Sequence, residues 1–171
     1  WEVSTDGKTM TFHLREGVRW QDGRPLTAED VLFTYRLMID PKTPTAYSES
    51  YKQVQDAEVV DPLTIRFTYD RPYCPAMESW ASLSILPKHL LEGKDVTKSP
   101  LARKPMGTGP YRLERWITQN QIVLESNHDY FMGRPWIDRN VTRIIPDTAT
   151  QFLELQSGGI DQMTLTPTQW A

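Results

Sequence analysis

Residues 6–31 read Asp6-Gly-Lys-Thr-Met-Thr-Phe-His-Leu-Arg-Glu-Gly-Val-Arg-Trp-Gln-Asp-Gly-Arg-Pro-Leu-Thr-Ala-Glu-Asp-Val31, and this stretch decides the fold. Met10, Phe12 and Leu14 fall on one face of an extended chain, with Thr9, Thr11, His13 and Arg15 on the other. That alternation predicts a half-buried strand over 9–15. Asp6-Gly7 before it and Asp22-Gly23 after it are turn dipeptides, because glycine takes positive φ without a Cβ clash. Thr27 then offers an N-cap, and Glu29 and Asp30 place negative charge in the first turn, where the helix dipole favours it. Val31, Leu32, Tyr35, Met38 and Ile39 recur at helical spacing until Pro41, so the pattern predicts a helix over 28–40.

Residues 40–51 are rich in Pro, Thr and Ser and read as a loop. Residues 53–60 and 63–69 form a predicted hairpin about Asp61-Pro62; Leu63, Ile65, Phe67 and Tyr69 share one face. A Pro-containing bend at Arg71–Pro75 leads to an apolar stretch and to Leu86-Pro-Lys-His-Leu-Leu, a short helix with Pro87 in its first turn. After a long connection over 93–110, a second hairpin pairs Tyr111–Trp116 with Gln121–Glu125 across Gln119-Asn120. Val141–Ile145, a helix opening at Pro146-Asp147-Thr148 and closing at Gly158-Gly159, and Ile160–Leu165 are expected to make one β-α-β unit. Hairpins with about three helices predict a mixed α/β (α+β) sheet protein.

The chain has 171 residues, with Lys+Arg 19 against Asp+Glu 22 and a formal net charge of −3. That balance argues against a basic nucleic-acid binder. Residues 1–86 hold 9 cations against 13 anions, residues 87–171 hold 10 against 9, an asymmetry compatible with two lobes. Hydrophobic residues at 39% and aromatics at 11% supply a core, which excludes a disordered tail. No apolar run reaches the roughly 18 residues of a membrane span. The chain opens at Trp1 within a pattern and stops at Trp170-Ala171, which predicts a piece of a longer polypeptide.

Catalytic and cofactor signatures are missing. His13, His89 and His128 lie in different elements and form no H-x-x-x-H, H-E-x-x-H or C-x-x-C frame, so no metal site is expected. Gly107-Thr-Gly109 is too short to cradle a phosphate, and Pro110 removes an N–H that a cradle needs. Cys74 lies between two prolines without an adjacent base, which argues against a nucleophile. Asp22 and Asp30 are accounted for by turn and helix-start chemistry. The expectation is a non-enzyme with no cofactor.

The quoted stretch closely resembles the signature region of the family 5 extracellular solute-binding proteins, the receptors of peptide-type ABC importers. Leu86-Pro-Lys-His89, Gly107-Thr-Gly-Pro-Tyr111 with Trp116, Asn127-His-Asp-Tyr-Phe131 and Gly133-Arg-Pro135 continue the resemblance in register. Ser157-Gly-Gly-Ile-Asp161 is similar to the family's S-G-E-I-D, with Gly159 replacing the usual acidic residue. The resemblance implies part of the first lobe of a type II periplasmic-binding-protein-like fold that closes on its ligand like a hinged clamp. Residues 1–86 resemble the extra subdomain of that lobe and residues 87–171 part of its sheet-bearing core; the second lobe is absent.

The resemblance further implies capture of a solute, most commonly a peptide, outside the cytoplasmic membrane, with the parent protein periplasmic or anchored at the cell surface. An ABC permease is the implied partner. Nickel chelates, haem, opines and oligosaccharides are the family's other ligands, and a non-transport interaction domain is the competing class. Candidate ligand-binding residues carried over from the family are Tyr47, in the loop after the first helix, and Met163, Thr164, Leu165 and Thr166, after the G-x-I-D motif; Tyr51 is weighed beside Tyr47. Trp20, Trp80, Trp116 and Trp136 are expected to pack rather than to line a pocket. The missing second lobe predicts weak or no ligand binding by this piece alone, and self-association through uncovered apolar surface.

Overall fold

The predicted strand and helix of the opening stretch are both present in the computed structural model, which describes residues 1–170. In chain order the elements are β1 (Glu2–Val3), β2 (Thr9–His13), α1 (Ala28–Ile39), β3 (Val54–Asp61), β4 (Thr64–Tyr69), α2 (Ala76–Ser82), α3 (Lys88–Leu91), β5 (Tyr111–Ile117), β6 (Gln121–Ser126), β7 (Arg139–Arg143) and α4 (Thr148–Gln156). The fold is mixed α/β. It divides into two units, one of residues 1–112 with 126–136, the other of 113–125 with 137–170.

The first unit is built on a four-stranded antiparallel sheet in the order β1-β2-β4-β3. Every second residue of β4 points inward: Ile65, Phe67 and Tyr69 are buried, while Thr64, Arg66 and Thr68 are only partly covered. The register sets Met10 opposite Phe67 on one side, and Ala57 opposite Phe67 on the other. Val31, Leu32 and Tyr35 of α1 share this core with Trp80 of α2. Trp80 stacks on Phe67 with 3.7 Å between ring centroids, and Tyr35 meets Phe67 edge-on at 5.7 Å. Such rings bury large apolar areas in well-defined geometries.

α1 starts where its sequence says it should. The Thr27 N–H donates to Asp30 Oδ2 at 2.9 Å, a capping box with Asp in place of the usual Glu. Gly23 holds φ +88°, the positive value that the preceding Asp-Gly turn requires. The apolar stretch after Pro75 is the helix α2, with Pro75 at its N-cap. Pro87 stands one position earlier than expected, at the N-cap of α3.

The second unit holds the sheet β5-β6-β7 and the helix α4. Asp147 caps α4 by accepting the Thr150 N–H, and Gly158 closes it at φ +76°. The β-α-β expectation for 141–165 is corrected here. β7 and α4 form, but residues 160–165 are not a strand, because no described residue pairs with them and a strand exists only through its ladder. Trp116 and Trp136 also depart from the packing expectation, at 40% and 102% exposure, whereas Trp20 and Trp80 are buried. No helix among the described residues is long and apolar enough to cross a membrane.

Candidate functional site

Two stretches carry the candidate ligand-binding residues, one in each unit. Tyr47 lies in the loop after α1 and is 70% exposed. Tyr51, four residues on, is buried at 4%, its hydroxyl donating to the Ser79 carbonyl at 2.9 Å and its ring 5.1 Å from that of Trp80. The two tyrosines thus differ in kind: Tyr51 anchors the loop on α2, and Tyr47 is presented to solvent. A turn of 3₁₀-helix at Ser48–Ser50 separates them. With Tyr73, Glu78, Ser79 and Ser82 they line a concavity of about 250 Å³. The sequence gives no warning of this grouping, since α2 is too short to show a helical period.

The second stretch, 160–166, leaves α4 through Gly158 and Gly159. Arg143 on β7 fixes its start: the guanidinium donates to Glu154 at 2.7 Å and to the Gly159 carbonyl at 3.2 Å. Arg143 thereby holds the Glu154 carboxyl below the usual glutamate range, through its hydrogen bond first and its charge second. At the far end, Thr166 donates its N–H to Gln169 Oε1 at 2.9 Å, while Gln169 Nε2 donates to the Thr148 carbonyl. Thr166 therefore caps the turn Pro167–Gln169, a local structural duty the sequence does not show.

Between these anchors, Met163 and Leu165 are half-buried and Thr164 is exposed. Among the described residues, no backbone hydrogen bond ties 161–165. A segment pinned at both ends with its own N–H and C=O groups unpaired can pair with an extended ligand backbone.

A second concavity of the first unit, about 290 Å³, is lined by Arg24, Glu29, Asp30, Lys88, His89 and Glu92, among others. Most of its charged side chains are engaged in ion pairs or hydrogen bonds. Lys88 Nζ lies 2.8 Å from Glu29 and 3.7 Å from Glu92, and His89 Nε2 lies 2.6 Å from Asp22. Asp30 is buried and fully occupied: Oδ2 accepts from Thr27 N–H and, at 3.4 Å, from Trp20 Nε1–H; Oδ1 accepts from Lys88 N–H at 3.0 Å. These are structural roles. His13 is likewise paired, with Glu2 and Thr64, and Cys74 is exposed. Among the described residues, no group of three or more His, Cys, Asp or Glu is placed to hold a metal.

The family model for bacterial extracellular solute-binding proteins, family 5 Middle, matches residues 1–171. Di/tripeptide-binding protein 4 of Pseudomonas aeruginosa is 32% identical over 182 residues, covering 92% of this chain and 34% of that protein. The oligopeptide-binding protein AppA of Bacillus subtilis, solved with a nonapeptide, superposes with a TM-score of 0.86 at 30% identity, over 93% of this chain and 32% of that one. NikZ of Campylobacter jejuni, solved with Ni(L-His), gives a TM-score of 0.87 at 28% identity, over 94% and 32%. The chain spans about a third of the length of the relatives it matches.

Proposed function

Since the chain belongs to the bacterial extracellular solute-binding proteins of family 5, we propose that its parent polypeptide captures a peptide outside the cytoplasmic membrane and delivers it to an ABC permease. The observation that carries the peptide assignment is the segment 161–165, anchored at Gly159 and Thr166 with its backbone free of partners among the described residues. An extended peptide offers the matching donors and acceptors, and the half-buried Met163 and Leu165 add adaptable apolar contact. Thr164 and Thr166 flank that contact. Tyr47 supplies an exposed ring with a hydrogen-bonding tip at low entropic cost. Residues 1–86 are assigned to the extra subdomain of the first lobe and 87–171 to part of its core. The role is binding without turnover.

A second ligand class is favoured by one neighbour: NikZ, solved with Ni(L-His), superposes as well as the peptide receptor does. A small amino-acid chelate is therefore the alternative solute for the same lobe.

Calorimetry on the full-length protein with Ala-Ala-Ala tests the assignment. Tyr47→Ala and Met163→Ser are each expected to weaken binding about tenfold, the usual loss for a contact near the centre of an interface. Unchanged affinity in both variants removes these residues from the site. Absence of binding to any di-, tri- or tetrapeptide removes the peptide assignment.

A further inference from the structure

The concavity lined by Tyr47, Tyr51, Tyr73, Glu78, Ser79 and Ser82 has a one-sided chemistry. Its volume of about 250 Å³ lies below the roughly 300–1,000 Å³ of pockets that enclose whole small molecules, so it fits a single side chain or terminal group. No Lys, Arg or His lines it. Glu78 is exposed and makes no ion pair among the described residues.

Three of the lining hydroxyl groups are committed as acceptors only, and those of Tyr47, Ser50 and Tyr73 can accept as well as donate. Ser79 Oγ donates to the Pro75 carbonyl at 3.1 Å, and Ser82 Oγ donates to the Glu78 carbonyl at 2.9 Å. Tyr51 gives its hydroxyl hydrogen to the Ser79 carbonyl. With their hydrogens committed to the backbone, these oxygens have only lone pairs to offer. The aromatic walls are held by packing, Tyr51 against Trp80 at 5.1 Å and Tyr73 stacked on Tyr69 at 5.9 Å. A carboxylate, acceptor oxygens and ring faces together match a group that is positively charged and donor-only.

We propose that this pocket receives an alkylammonium or guanidinium group, namely the basic side chain of a bound peptide. The inference rests on the peptide assignment above and adds the identity of one side chain to it. Tyr47 closes the open side, and Glu78 neutralises the charge.

The test compares Ala-Lys-Ala with Ala-norleucine-Ala by calorimetry on the full-length protein; the two differ by the ammonium group. The lysine peptide is expected to bind at least about fivefold more tightly, the range of a partly exposed charge pair combined with a ring face. In Glu78→Gln the ratio should fall to about one, and Tyr47→Leu should reduce it. A ratio near one in the unsubstituted protein, or a ratio that survives Glu78→Gln, overturns the proposal.

If neither tripeptide binds, the peptide assignment fails separately, and the pocket is then decided by NMR titration with 1,5-diaminopentane. Shifts at Glu78 and Tyr73, the latter lost in Glu78→Gln, uphold a cation pocket fed by a free amine. No shift at either residue overturns it.

Discussion

Asp30 and Lys88 lie 58 residues apart in the chain, yet Asp30 Oδ1 accepts the Lys88 backbone N–H at 3.0 Å. The other carboxylate oxygen of Asp30 caps its own helix through Thr27. One turn below, the Thr34 hydroxyl donates to the Asp30 carbonyl and accepts the Leu86 N–H, each at 2.8 Å. A single face of α1 thus holds its own first turn and the segment that leads into α3. Asp30 is 5% exposed, so its partners cannot turn to water when it is removed.

Asp30→Ala is therefore expected to cost about 2–4 kcal/mol, combining a lost cap with buried donors left unsatisfied. Asp30→Asn keeps one acceptor and should cost about half as much. Urea unfolding of the two variants measures both. A loss below about 0.5 kcal/mol for the alanine variant would show that the network is dispensable.

Tyr69 predicts behaviour at alkaline pH. Burial pushes its phenol up to about 12, against the pull of the Trp80 Nε1–H, which donates to its oxygen at 2.7 Å. The unfolded chain ionises near 10, the folded one near 12. Stability should therefore be complete below pH 10 and decline as pH rises from 10 to 12. Trp80→Phe removes the donor and should raise the Tyr69 value further, seen in an ultraviolet phenolate titration. Trp80→Ala also removes the ring stacked on Phe67 and should cost about 3–5 kcal/mol.

The acid limb rests partly on Asp22. Burial raises its pKa, but the His89 hydrogen bond, the Arg24 N–H and the two neighbouring positive groups outweigh that and lower it below the ordinary 3.8. The stability this contributes is present above pH 3.8 and is lost as pH falls through the folded value. His89→Ala should leave burial without its main counterweight and raise the Asp22 pKa, as read by carboxyl carbon NMR. An unmoved Asp22 titration would refute the pairing.

Opposite signs meet at Gly159. A Cβ built there would overlap the Glu154 carboxylate that Arg143 holds. Gly159→Ala should therefore push that carboxylate off Arg143, and the Glu154 pKa should return upward toward the ordinary glutamate range. NMR titration of Glu154 in both forms decides it; an unchanged value would mean that the carboxylate finds room beside the new methyl.

Local periodicity is strong in β2, α1 and the β3–β4 hairpin, and there the sequence is sufficient. Met10 and Phe12, or Ile65 and Phe67, repeat every second residue because one sheet face meets the core. α2 is different: its seven residues contain one ring, Trp80, whose place is set by Phe67 and Tyr69 rather than by helix propensity. Residues 160–165 carry three apolar side chains, Ile160, Met163 and Leu165, but they do not alternate strictly, and a ladder partner is a property of the fold and not of the segment. The candidate site divides in the same way. Tyr47 and 163–166 are suggested by family resemblance, whereas the grouping of Tyr47 with Tyr73 and Glu78 arises only when the loop packs on α2.

The central proposal, capture of a peptide, is tested most directly by native mass spectrometry of the full-length protein purified without denaturation. A ladder of bound masses that fit small peptides and vanish on partial unfolding is expected. A single bound mass fitting a metal chelate, a sugar or a haem would contradict the peptide assignment.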